Sequence, residues 1–133
     1  MLYLLDTNVI AIYLNQRSLL LRERLERISP AEIAVCSVVK LELFYGALRS
    51  GNPTQNLAKQ REFLELFVSL PFDDLAATKA GEIRTNLANL GTPIGYYDLL
   101  IAAIAIAHNL TLVTHNTREF ERVVELKVED WEV

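Results

Sequence analysis

Asp6, Glu42 and Asp98 are the residues of this chain best placed to do chemistry. Asp6 closes the apolar run Leu2–Leu5, and Glu42 lies in a helical stretch just past the strand-like Ile33–Cys36. Asp98 stands immediately before Leu99–Ala107, the most apolar stretch in the chain. Each therefore sits where a fold would open onto solvent. If the fold gathers them, they form a pocket of carboxylates with no imidazole or thiolate. Oxygen-only ligation suits a hard divalent cation, and such an ion beside phosphate chemistry points to a nuclease.

Taken singly, each acid also has a plainer use. Asp6 could cap the following helix together with Thr7 and Asn8, and Asp98 could cap its own, where an anion suits the helix dipole. Glu42 is flanked by Leu41, Leu43, Phe44 and Leu48, so it is either partly buried, paired with Lys40, or turned to water. Taken jointly, they favour a cation. Clustered carboxylates repel one another, and Mg²⁺ or Mn²⁺ relieves that repulsion while retaining waters that can act as nucleophiles.

Strand-like and helix-like segments alternate, and their order decides whether the acids meet. Leu2–Leu5 reads as a buried strand, followed by a helix over Val9–Leu14. Leu21, Leu25 and Ile28 recur at helical spacing within Arg17–Ile28, and Ser29-Pro30 breaks that helix. Ile33–Cys36 is a second strand, with Ser37 capping a helix that runs to about Arg49. Pro53 opens an amphipathic helix expected to end near Leu70, and Leu70-Pro71-Phe72 is a short strand candidate. Ala76–Leu90 is helical, stopped by Gly91-Thr92-Pro93. A helix then runs from Asp98 to His108-Asn109, a strand over Leu110–Val113, a short helix over Arg118–Val123 and an edge strand at Leu126–Val128. Four to five short apolar strands separated by helices imply a mainly parallel sheet covered on both faces. Sites in such sheets form beyond the carboxyl ends of the strands, where Asp6 and Thr114 both fall.

The 133 residues are expected to form one domain, spanning residues 1–133, with enough core to need no disulfide or structural metal. Half of them (51%) are apolar, which excludes disorder. The longest apolar run has nine residues, against the roughly 20 a membrane helix needs, so no membrane association is expected. No signal peptide is visible, and the single cysteine, Cys36, falls in a buried strand as a small hydrophobe; a reducing cytoplasm is the expected location. The net charge of −4 comes from the segment after Arg118, which carries six acids and two bases. Bulk charge thus neither announces nor excludes a nucleic-acid partner.

Several motifs together resemble the PIN-domain ribonucleases, specifically the VapC-type toxins of bacterial toxin–antitoxin pairs. They are Leu5-Asp6-Thr7-Asn8; Ser37 through Glu42-Leu43 with Gly46; Ile94-Gly95 followed by Asp98 and Ile101-Ala102-Ala103; Leu112-Val113-Thr114 with Asn116; Glu119-Phe120; and the tail Leu126–Trp131. Each motif alone is weak, but their order and spacing cover nearly the whole chain. The resemblance implies a three-layer α/β/α sandwich and Mg²⁺-dependent endonuclease activity on structured RNA, tRNA near the anticodon or an rRNA loop. It implies a small antitoxin of the VapB type bound along a groove between early helices, and pairing as a homodimer. Asp6, Glu42 and Asp98 match the family's metal-binding acids, Thr7 and Asn8 the residues that hold the first acid, and Thr114 a small polar residue beside the site. Many members carry a fourth acid where this chain has Asn116. Glu119, one turn onward, is a candidate to restore that charge, with one resident ion and a second arriving with RNA.

The remaining candidates are peripheral. His108 is expected to cap its helix, and His115 either touches RNA or is a solvated loop residue. Tyr96 and Tyr97 could stack on an unpaired base, or one of them packs on the sheet. Arg118 is a further RNA contact, and Arg17, Arg22, Arg24, Arg27, Lys40, Arg49 and Arg84 are possible phosphate ligands. Two other functions fit parts of the pattern. An aspartyl-phosphate phosphatase would also place Asp6 after a first strand but wants an acid at Asn8. A PIN-like module that binds RNA or protein without cleaving it would tolerate Asn116.

Overall fold

The computed structural model describes residues 1–133, with elements β1 (Tyr3–Leu5), α1 (Thr7–Leu14), α2 (Leu19–Arg27), β2 (Ile33–Cys36), α3 (Ser37–Leu48), α4 (Pro53–Leu64), β3 (Val68–Leu70), α5 (Asp74–Asn89), α6 (Tyr96–Ala107), β4 (Thr111–Val113), α7 (Thr117–Phe120) and β5 (Lys127–Glu129). The strands form one sheet in the order β3-β2-β1-β4-β5, and every neighbouring pair is parallel. The chain steps outward from β1 to β3, then crosses back to β4 on the other side of β1. Right-handed crossovers in opposite directions put α1–α4 on one face and the α5–α6 pair on the other. This is the expected α/β/α sandwich.

Burial explains why these residues form these elements. All four residues of β2 are buried, as are Leu4 and Leu5 of β1, so the inner strands show no polar alternation. Ile101–Ala105 of α6 are completely buried, which is why that helix is apolar on every side. The edge strand β5 instead carries Lys127 and Glu129, charges that discourage pairing with another chain. Glu129 is anchored by Arg24 at 3.1 Å and by the Trp131 indole N–H at 3.0 Å, and Trp131 meets Tyr3 edge-on. No helix is long and apolar enough to cross a membrane.

Several boundaries differ from expectation. The helix from Pro53 stops at Leu64 rather than near Leu70, because Leu66 and Phe67 donate to the carbonyls of Phe63 and Leu64 and close the last turns. The strand then comes early, at Val68–Leu70, where it pairs with Ala34–Cys36; Pro71, with no N–H to donate, follows its end. The unbroken apolar run Phe63–Val68 hides this change of period. Ser37 is not a cap but the first helical residue, with Cys36 at the cap position and no side-chain bond. The helix expected from Asp98 starts at Tyr96 after Gly95, so Asp98 occupies its first turn and does not cap it. The short helix expected over Arg118–Val123 is confined to Thr117–Phe120.

Candidate active site

The sheet order reverses between β1 and β4, and their carboxyl ends lie side by side, Leu5 opposite Val113. The next residues of both strands therefore project into one crevice. There Asp6 is 6% exposed. Its Oδ1 accepts the Thr7 N–H at 2.8 Å, and its Oδ2 accepts the Thr114 hydroxyl at 2.8 Å. Asp6 does cap α1, as its local context allows, but only with one oxygen. Thr114 is itself buried; its N–H reaches Glu129 of β5, and its hydroxyl oxygen also accepts the Asn116 N–H at 3.0 Å. One hydroxyl thus sets both the acid and the following loop.

Glu42 arrives from α3, half-buried, and its Oε1 accepts the Thr7 hydroxyl at 2.7 Å. It pairs with Thr7 rather than with Lys40. Thr7 consequently ties two acids together, by its N–H and by its hydroxyl. Asn8 does not share that work: it is exposed, with no hydrogen bond to Asp6.

Asp98 arrives from the opposite face, half-buried in the first turn of α6. Its nearest acidic neighbour is Glu119 of α7. A Cβ built on Gly95 would lie 3.7 Å from Asp98 Oδ2 and 3.9 Å from Glu119 Oε1, so both carboxyls converge on that glycine. Glu119 Oε1 accepts the Gly95 N–H at 3.0 Å, and its Oε2 accepts the Asn116 amide at 2.9 Å. Asn116 therefore orients an acid, and Glu119 stands beside Asp98 with a charge to contribute. A hydrogen-bonded chain runs Asp6–Thr114–Asn116–Glu119–Gly95 around the crevice.

The acids feel each other. Burial, then Glu119, Asp6 and Glu42, push the Asp98 carboxyl up to about 7. Burial raises Asp6 as well, with Glu42 and Glu119 adding to it against the opposing bonds from Thr114 and Thr7. Glu119 moves the other way, held ionised first by the Gly95 N–H. Cys36, behind the site, has its thiol pushed up to about 11 by burial and is no nucleophile. None of the four acids forms a salt bridge, and Arg122 donates instead to the Pro93 carbonyl. Four oxygen donors with no paired base fit a divalent cation. The one trio of metal-ligating side chains whose atoms all lie within 4.8 Å of one another is a different one, His115, Asp130 and Glu132. No trio of the crevice acids is that close. Mg²⁺, which keeps several waters, can span wider gaps between its ligands.

The peripheral candidates separate. His115 is exposed, its Nδ1 2.9 Å from Asp130. Arg118 is exposed with no side-chain partner. Neither Tyr96 nor Tyr97 packs on the sheet; both are exposed, and Tyr96 lies under the Arg84 guanidinium, 5.2 Å from its ring centroid. His108 caps α6 as expected. Sequence reasoning missed Gly95 as a carboxylate ligand and Asp130 as the partner of His115. Gly95 immediately before the Tyr-Tyr-Asp helix start was the available signal for the first.

Known proteins resemble this chain along nearly its whole length. A PIN domain profile matches residues 3–126. The tRNA(fMet)-specific endonuclease VapC of Shigella flexneri is 40% identical over 129 residues, 97% of each chain. VapBC from Salmonella typhimurium bound to DNA contains a chain with TM-score 0.92 and 39% identity, covering 98% of this chain and 99% of that one. VapBC2 from Rickettsia felis, bound to a DNA fragment from its promoter, gives 0.91 and 38%, with the same coverage. These matches leave no place for the aspartyl-phosphate phosphatase. The chain belongs to the PIN-domain family and, within it, to the VapC ribonucleases.

Proposed function

We propose that this protein is a divalent-metal-dependent endoribonuclease toxin, hydrolysing phosphodiester bonds of structured RNA, with Mg²⁺ its natural ion and Mn²⁺ a substitute. The observation that carries this is the crevice of four acids, none of them paired with a base, joined by Thr114, Asn116 and Gly95. Asp6, Glu42 and Asp98 hold the ion, and Glu119 takes the part of the fourth acid in place of Asn116. An ion held there would supply Lewis-acid polarisation of a phosphoryl oxygen and a water more easily deprotonated for attack. The chain's own contribution is placement. Thr114 and Thr7 fix the direction of the Asp6 lone pairs, and Thr7 holds Glu42 in the same frame. Without an ion Asp98 keeps its proton to about pH 7, and an ion held there would displace that proton, because a ligating carboxyl must be ionised.

Two relatives are named for cleavage of tRNA(fMet), which makes an initiator tRNA the first substrate to test. The neighbours solved as VapBC complexes make a VapB-type antitoxin the expected partner. Exposed Leu19 and Leu20 on α2 offer apolar surface for it. The test is incubation with total RNA in Mg²⁺ or EDTA, beside Asp6→Ala, Asp98→Ala and Glu119→Gln. Cleavage is expected to need metal and to be lost in both alanine variants, with Glu119→Gln slowed by roughly 10-fold. Identical fragments from wild type and both alanine variants would end the catalytic assignment.

A further inference from the structure

Two polar clefts flank α1, and Asn8, Ala11 and Asn15, one helical turn apart, line both. The cleft on the Glu42 side runs along α4. The other, of about 400 Å³, contains Asp6 and Asn116 together with Arg17 and His115. It is the cleft that joins an acid of the crevice to two basic side chains. Arg17 is exposed and forms no side-chain hydrogen bond or ion pair, so its charge is uncommitted. The His115 ring is turned by Asp130. An ionised carboxylate only accepts, so Nδ1 carries the proton and Nε2 is left free.

The backbone around Arg17 is unusual. Three helices of this fold end in the same paired cap, with a left-handed residue just past the cap position. After α5 that residue is Gly91 (φ 70°) and after α6 it is Asn109 (φ 54°), the two residue types that adopt this conformation most readily. After α1 it is Gln16 (φ 55°). Gln16 N–H reaches Tyr13, and Arg17 N–H reaches Ile12 at 3.1 Å, so the strained turn fixes the Arg17 backbone at the cleft. Nothing about ending a helix calls for glutamine here, and strain retained beside a site is commonly tied to its work.

We propose that Arg17, placed by the Asn15-Gln16-Arg17 turn, binds the RNA phosphate next to the scissile one, with His115 as the opposite wall of the cleft. This rests on the ribonuclease reading above. The acids and their ion take the reacting phosphate, which leaves the adjacent phosphates uncompensated. A planar guanidinium on the cleft rim is the side chain that grips one of them by two hydrogen bonds. The cleft thereby sets which side of the cut the strand occupies.

The test uses the full chain in an inactive Asp98→Asn background, with a fluorescent single-stranded RNA titrated over a range of salt. Arg17→Gln should weaken binding about 10-fold and lower the slope of log affinity against log salt by about 0.7, the value for one phosphate contact on a single strand. Arg17→Lys should keep the slope, and Lys79→Gln, on α5 with Glu82 as its partner, should leave both unchanged. In the active enzyme Arg17→Gln should raise KM more than it lowers kcat. An unchanged slope for Arg17→Gln, with folding verified by an unaltered cooperative melt, overturns the proposal. So does an unchanged slope accompanied by weaker antitoxin binding, which would give the cleft to the protein partner. Absence of any cleavage by wild type would instead overturn the ribonuclease reading, which the binding slopes do not require.

Discussion

Thr114 shows how much of this site depends on a residue that does no chemistry. Its hydroxyl donates to Asp6 and accepts from the Asn116 N–H, and it is almost fully buried. Replacing it by valine keeps the shape but leaves a buried carboxylate oxygen and an N–H without partners. Such a loss typically costs about 1–3 kcal/mol. Thr114→Val is therefore expected to lower the urea midpoint by that equivalent and to weaken Mg²⁺ binding, while Thr114→Ser restores both. Equal midpoints for Val and wild type would mean that the hydroxyl is not structurally engaged. Asn116 looks like a lost acid from sequence alone. In the fold its amide donates to Glu119, which converges with Asp98 on Gly95.

At the scale of elements, the helix ends carry a second prediction. Gln16 pays for a left-handed conformation that costs a non-glycine residue about 1–2 kcal/mol. Gln16→Gly should raise Tm by a few degrees without changing the fold, and Gln16→Val should lower it; calorimetry of the two variants decides the sign. The elements also show what was legible beforehand. Asp6, Glu42 and Asp98 stood out because an isolated carboxylate against a long apolar run is a conspicuous contrast, and the parallel sheet followed from strands lacking alternation. The end of α4 was not legible, because Phe63–Val68 is apolar throughout whether it is helix, turn or strand. Gly95 and Thr114 were harder still. A backbone N–H and a hydroxyl acting on residues far along the chain leave no local spacing to read.

For the whole molecule, the acids make stability depend on pH in an unusual direction. Asp98 keeps its proton to about 7 in the fold, against 3.8 when free. Between those values the native state binds more protons than the unfolded one, so stability falls as pH rises through that window. Asp6 adds in the same sense, whereas the depressed Glu119 contributes stability above its ordinary 4.5 that is lost on further acidification. In EDTA the protein should therefore melt at a higher temperature near pH 5 than near pH 7.5. Asp98→Asn should flatten that difference, and millimolar Mg²⁺ should raise the melting temperature most at the higher pH, where ligands are ionised. A melting temperature in EDTA that climbs steadily from pH 5 to 7.5 would contradict the burial of these carboxyls.

The position of β1 between β2 and β4 also governs how the protein is made. The middle strand of the sheet leaves the ribosome before the strands on either side of it, and its partner β4 is synthesised more than a hundred residues later. Until Thr114 and Glu119 emerge, Asp6 has neither its hydroxyl partner nor its neighbouring acid. Such long-range pairing is slow to form and comes late in folding. A nascent chain short of these residues therefore has its first acid in place but not the contacts that orient it.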